Sequence, residues 1–115
     1  SLLLYFRHIR TLSGPEASRE YEATRQAYAR ARTDFNRVRL AMILSLPGTA
    51  FTDEARALGL LEIVAKHQGG GLQGLAMVLG ANLKERQQLA ASAQALQQKL
   101  DALKSLERSM IERGR

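Results

Sequence analysis

The sequence has no cysteine, only two prolines and few aromatic residues, which make up 5% of the chain. Without cysteine the chain forms no disulfide and offers no thiolate to a metal ion. No apolar run approaches the roughly 20 residues that a membrane-spanning helix needs. The formal net charge is +6, yet no block of five or more like charges occurs. The remaining composition is rich in Ala, Leu, Gln and Arg, which predicts an all-α protein.

The longest regular pattern runs from Leu72 to about Arg113. Leucines and alanines recur in it at spacings of three and four residues, which is typical of one apolar stripe on one α-helix. At 1.5 Å per residue this helix would be on the order of 60 Å long. A compact chain of this size has a radius of gyration of only about 13 Å. We therefore expect the helix to project or to lie along an equally long element.

Three shorter helices are expected before it. The first covers residues 1–12. The second begins with a capping box at Ser13 and Glu16, carries a coiled-coil-like seam, and runs without interruption to Leu46, where Pro47 and Gly48 stop it. The third covers residues 51–68, is capped by Thr52 or Asp53, and ends at a triple glycine.

The predicted fold is therefore all-α, with about four helices, helical hairpins packed together and a long projecting C-terminal coiled-coil-like helix. The whole chain, 1–115, is expected to form a single helical domain. Its core would span 1–83, and the extended C-terminal helix would span 84–113. From Lys84 onward the apolar stripe is narrow and polar residues surround it, which indicates a helix-pairing seam rather than a wide core face.

No catalytic, cofactor-binding or metal-binding constellation is visible. Both histidines are isolated from other ligand-type residues at helical spacing, and the triple glycine lacks the strand and the Gly-Lys-Ser/Thr sequence of a phosphate loop. We therefore predict that the chain is not an enzyme and needs no cofactor.

Two alternatives remain open. The first is a nucleic-acid-binding helical protein, with a basic stripe on the second helix formed by Arg25, Arg30, Arg32, Arg37 and Arg39. Against it, no recognition motif or set of stacking aromatics is present. The second alternative is a self-associating structural coiled coil, in which the seam after Lys84 pairs with its own copy.

Two segments resemble a known family. The run from Gln98 to Arg108, QKLDALKSLER, resembles the K-L-[D/E]-x-L-x-x-[I/L]-E-R segment of the outer-membrane lipoproteins of the QseG (YfhG) type. The stretch from Phe51 to Arg56 resembles the apolar-Thr-x-x-x-Arg helix start of the same family. The order and spacing of the two segments agree, and the resemblance covers about residues 36 to 113.

The resemblance implies a non-enzymatic periplasmic adaptor, anchored to the outer membrane by a lipid upstream of this sequence. The implied partner is the periplasmic sensor region of a QseE/GlrK-type histidine kinase, whose signalling the adaptor would modulate through helix–helix contacts. A narrow seam suits such contacts. The residues expected to bind the partner are Leu89, Ala93, Leu96, Leu100, Leu103 and Met110, with Arg86, Lys99, Lys104 and Arg108 as flanking charges. The seam packing on the second helix, or on a second copy, is the competing interpretation.

Overall fold

The computed structural model describes residues 1–114, which contain five α-helices and no strand. The helices are α1 (Leu2–Ile9), α2 (Gly14–Arg30), α3 (Asp34–Leu44), α4 (Glu54–Ala65) and α5 (Gln73–Arg113). The all-α fold class and the long C-terminal helix are therefore confirmed. The helix count is five rather than about four.

α3 is the central element of the first part of the chain, because α1, α2 and α4 all pack against it. Every residue from Leu40 to Leu44 is buried. A helix that is apolar on all sides has to be covered on all sides. Its buried side chains join one core with residues of the other helices, among them Ile9, Leu61, Val64, Ala76 and Leu83.

The prediction of one uninterrupted helix from Ser13 to Leu46 is wrong. The capping box at Ser13 and Glu16 is confirmed, but α2 ends at Arg30 and Ala31 is in the extended conformation. α3 begins only after Thr33, so the expected element is a pair of helices that pack on each other across a three-residue connection. The residues of the predicted seam are divided between these two helices. Neither α2 nor α3 alone has the length of the expected helix, which was the competing partner for the apolar stripe after Lys84.

Local hydrogen bonds explain this break, although neither glycine nor proline occurs there. The side chain of Thr33 caps α3 by accepting a hydrogen bond from the backbone N–H of Asn36. The amide Nδ2 of Asn36 donates to the carbonyl oxygens of Ala27 and Ala31, at 3.3 and 2.9 Å. The carbonyl of Ala27 also accepts from the backbone N–H of Ala31, whereas Ala31, the residue that follows α2, lies beyond the helical hydrogen bonds. Asn36 therefore joins the end of α2 to the start of α3.

The remaining connections use side-chain caps and glycine turns. Asp53 caps α4 by accepting from the backbone N–H of Arg56. Gly48 and Gly69 adopt positive φ, at 74° and 79°, in the turns that follow α3 and α4, a conformation that favours glycine. At the start of α5 the side-chain amide of Gln73 donates to the carbonyl of Ala65 at the end of α4. The expected first and third helices are both shorter in the structure, as Leu2–Ile9 and Glu54–Ala65.

The chain divides into two compact units, Ser1–Leu83 and Lys84–Arg115. The first unit contains the core, including the start of α5, where Ala76 and Leu83 are buried. The second consists of the remainder of α5, and no residue described from Lys84 to Gly114 is buried. None of the helices described combines the length and hydropathy required to span a lipid bilayer.

Replacing Asn36 by Ala tests the proposed cause of the helix break. The carbonyl of Ala31 loses its side-chain donor and that of Ala27 keeps only the backbone N–H of Ala31, so the free energy of unfolding should fall by about 1–2 kcal/mol. Urea denaturation followed by circular dichroism measures the change. Asn82→Ala, which removes the same amide from an exposed position of α5, should change stability by less than about 0.5 kcal/mol. Equal stability of N36A and wild type would show that the break has another cause.

Candidate helix-docking surface

The helix after Lys84 forms because its residues favour helix and nothing interrupts them. Between Lys84 and Arg113 there is no glycine or proline, and Leu, Ala, Gln, Lys, Arg and Glu predominate. These residues have the highest helix propensities. The side-chain amide of Gln97 also donates to the carboxylate of Asp101 one turn later, at 3.0 Å, a spacing that supports an isolated helix.

The predicted apolar binding residues are exposed along this helix. Leu89 and Leu96 are 64% and 66% exposed, and Leu100 is 45% exposed. By contrast, Leu83, the last residue of the first unit, is 3% exposed. Ala93, Leu103 and Met110 are exposed as well. A row of large exposed apolar side chains on one helix is unusual for a soluble surface and marks an interaction site.

Heptad counting from Leu89 defines the surface that we call the C-terminal seam. With Leu89 at position d, the d positions are Leu89, Leu96, Leu103 and Met110, and the a positions are Arg86, Ala93, Leu100 and Glu107. The a and d residues are those that face a partner in a coiled coil. Arg86, predicted as a flanking charge, thus lies in line with the seam, while the predicted apolar residues all occupy a or d.

The flanking cations differ in their distance from the seam. Lys99 is at position g and Lys104 at position e, the two positions that border the a and d residues. Arg108 is at position b and lies further around the helix. All three side chains are exposed. Lys99 and Lys104 are therefore placed to contact charges on a paired helix, whereas Arg108 is less well placed than the sequence suggested.

The prediction missed three residues at the end of the seam. A shallow, open apolar surface is lined by Leu103, Leu106, Glu107, Met110 and Ile111. Leu106 and Ile111, 57% and 52% exposed, lie at positions g and e and widen the stripe. Strict heptad counting would have found Glu107, because it is the a residue between Leu103 and Met110. The residues expected from the sequence pass directly from Leu103 to Met110 and omit this a position.

Two polar clusters lie in the first unit, and both connect helices. In the first, the carboxylate of Glu20 accepts hydrogen bonds from Tyr5 at 2.8 Å and from Arg39 at 3.3 Å. The hydroxyl of the buried Thr24 lies 3.0 Å from that of Tyr5. Burial raises the pKa of the Tyr5 phenol, and the nearby Glu20 carboxylate adds to the rise. With several partners engaging its carboxylate, Glu20 holds α1, α2 and α3 together.

In the second cluster the carboxylate of Asp34, at the start of α3, contacts His67 and Arg37. One oxygen pairs with Nδ1 of His67 and the other accepts from Arg37 at 3.1 Å. The hydrogen bond with His67, followed by the contribution of Arg37, lowers the pKa of Asp34. A Cβ at Gly70 would lie 3.2 Å from Nδ1 of His67. Within the triple glycine, Gly70 therefore leaves room for the His67 ring.

The five arginines considered for a nucleic-acid interface do not form one stripe. Arg25 and Arg30 lie on α2, Arg32 lies in the connection, and Arg37 and Arg39 lie on α3. Arg25, Arg37 and Arg39 pair with Glu22, Asp34 and Glu20 respectively. The expected stripe depended on one continuous helix, and the helix break removes that basis.

Residues 1–114 contain no group of three or more His, Asp or Glu side chains arranged to hold a metal ion. Comparison of the chain with models of known families, with curated proteins and with solved structures found no match in any of the three. The candidate site is therefore defined by the chain's own geometry, and it is the exposed C-terminal seam.

The Asp34 cluster predicts a specific pH dependence of stability. Because the folded-state pKa of Asp34 is lowered, the pair stabilises the fold above the unfolded pKa of about 3.9, and this contribution is lost as the pH falls through the folded pKa. In D34N the free energy of unfolding should therefore change less steeply between about pH 5 and pH 2. Urea titrations at several pH values measure the slope.

Glu62→Gln is the matched control, since it removes one exposed carboxylate from α4. Its pH profile should stay close to that of wild type. A D34N profile identical to wild type would mean that the ionised Asp34 contributes nothing to stability.

Proposed function

We propose that this chain is a non-enzymatic adaptor whose C-terminal seam binds an α-helix of a partner protein. The single observation that supports it most is the exposure of four leucines, Leu89, Leu96, Leu100 and Leu103, at a and d spacing. Exposed apolar side chains at that spacing match the way an amphipathic helix recognises another helix. Burying each of them would contribute about 1.5–3 kcal/mol.

The rest of the molecule fits the role of a folded support for such a helix. The core of the first unit is filled by its own side chains, and the carboxylates of Glu20 and Asp34 are paired within the unit. α5 begins in that core, where Ala76 and Leu83 are buried. A helix that is anchored at its start loses less conformational freedom on binding than an isolated peptide, which favours association.

For the particular partner, the resemblance to the QseG type supports the periplasmic sensor region of a two-component histidine kinase. In this proposal the full-length protein is a lipoprotein that lies in the periplasm on the outer membrane, and it modulates the kinase's signalling. A sensor region built from long helices would present apolar stripes of the same spacing to the seam.

Substitutions in the seam test the proposed contact. Leu100→Asp and Leu103→Asp each place a carboxylate where a leucine would be buried, so each should weaken binding to a purified QseE/GlrK-type sensor ectodomain at least about tenfold. Isothermal titration calorimetry measures the dissociation constants. The folding stability should stay near that of wild type, because both leucines are exposed in the free protein.

Gln98→Asp is the matched control, because position f is opposite the seam. It adds the same charge to the same helix and should bind as wild type does. Unchanged affinity in L100D and L103D would exclude the seam as the contact. The titration should reach a protein concentration of about 100 μM, at which only very weak complexes escape detection. If the wild-type chain does not bind at that concentration, this kinase is not the partner.

A further inference from the structure

The charges around the C-terminal seam are distributed unevenly. At the e and g positions beside the central leucines there are two lysines, Lys99 and Lys104, and no carboxylate between Arg86 and Glu107 occupies an e or g position. The only carboxylate in that interval, Asp101, is at position b and accepts a hydrogen bond from Gln97. The central border of the seam is therefore positive on both sides.

The last heptad has the opposite arrangement. Its flanks are apolar, with Leu106 at g and Ile111 at e, while the acidic residue, Glu107, occupies the a position between them. When this surface is covered, the carboxylate of Glu107 loses water on several sides. A carboxylate removed from water is tolerated only when it is paired with a cation or with hydrogen-bond donors.

A second copy of the chain is a poor partner for the two lysines at the border and for the carboxylate of Glu107. In a parallel, in-register pair each a residue faces its own copy, so two Glu107 carboxylates would meet. In the same pair a g residue faces the e residue five positions later, so Lys99 would face Lys104. Like charges in such positions oppose pairing.

Antiparallel self-pairing, with the central leucines overlapping, satisfies only some of these charges. In that arrangement a positions face d positions, so Leu96 faces Leu100 and Glu107 faces Leu89. Glu107 then faces a leucine rather than a cation, and the two copies of Lys99 lie opposite each other, although Glu85 and Arg113, which are also g residues, face each other near the ends. Both orientations therefore bring lysines together at the centre of the seam and provide no cation directly opposite Glu107.

We infer that the C-terminal seam binds a different chain, an α-helix with acidic residues bordering its apolar stripe and one Lys or Arg facing Glu107. This inference rests on the proposed function and specifies the chemistry of the partner. The acidic residues pair with Lys99 and Lys104, and the cation compensates the carboxylate that binding desolvates. The charges select the partner, and the leucines supply most of the binding free energy.

Two synthetic helical peptides, each about four heptads long with leucine at a and d, are the probes. The acidic peptide carries Glu at every e and g position, and the basic peptide carries Lys at the same positions. Fluorescence anisotropy of the labelled peptides with the full chain measures both dissociation constants. The acidic peptide should bind at least about tenfold more tightly than the basic peptide.

The double variant Lys99→Glu/Lys104→Glu should reverse this preference. Its matched control is Lys84→Glu/Arg108→Glu, which changes the net charge equally at positions f and b, away from the border of the seam. The control should keep the wild-type preference. If it also reverses the preference, net charge rather than local pairing selects the peptide, and the inference is wrong.

The cation opposite Glu107 is tested with two further acidic peptides, one with a single Lys at an a position and one with a single Lys at a d position. Parallel pairing brings an a residue to Glu107 and antiparallel pairing brings a d residue. One of these two lysine-containing peptides should bind the wild-type chain more tightly than the acidic peptide that has leucine at every a and d position. Glu107→Leu should abolish this gain in affinity. No gain in either peptide would overturn this part of the inference.

The remaining outcomes separate this inference from the proposed function. Equal binding of the acidic and basic peptides would contradict charge selection while leaving the seam as a helix-docking surface. Failure of both peptides to bind a chain that circular dichroism shows to be helical would contradict the docking surface itself. A dimer in analytical ultracentrifugation at tens of micromolar, abolished by Leu100→Asp, would identify a second copy as the occupant and overturn the inference.

Discussion

The burial of α3 is the constraint on which the fold of the first unit depends. Five consecutive residues, Leu40 to Leu44, have to leave water, and no single neighbouring helix can cover a helix on all its sides. α1, α2 and α4 each cover one side. The short connection between α2 and α3 follows from this requirement, since α2 packs on α3 only if the chain turns between them. The capping by Thr33 and the amide of Asn36 make that turn energetically acceptable.

Two carboxylates organise the polar groups that this packing brings together. Glu20 accepts from Tyr5 and Arg39, and Asp34 pairs with Arg37 and His67. Both carboxylates are partly shielded from water, and each is paired with a residue from another part of the chain: Glu20 with α1 and α3, and Asp34 with the turn after α4. The arginines of these clusters are consequently structural. The positive net charge of the chain overstates how much basic surface is free to contact another molecule.

The two units use the same residue type in opposite ways. In the first unit leucines such as Leu40 and Leu44 fill the core, whereas after Lys84 the leucines remain in contact with water. An isolated helix has no core in which to bury them, so it retains a narrow apolar stripe between polar faces. The charges bordering that stripe then become the feature that distinguishes one partner helix from another.

Much of the architecture could be predicted from the sequence, because it depends on local patterns. The all-α class, the capping box at Ser13, the cap at Asp53 and the long C-terminal helix all come from residue spacing and from hydrogen bonds within a few residues. The a and d residues of the C-terminal seam are predictable for the same reason. Glu107 was within reach of the same heptad count, had it been continued strictly past Leu103.

The break between α2 and α3 was not predictable in this way. Residues 31–33 include no helix breaker, and the 4-3 spacing continues through them, so local propensity favours one helix. The tertiary structure favours two helices, because folding α2 back on α3 buries the apolar surface of α3. Local residue patterns specified most of the helical segments and their apolar faces. The tertiary structure decided where the chain turns and which of those faces are covered, since burial depends on neighbours that are distant in the sequence.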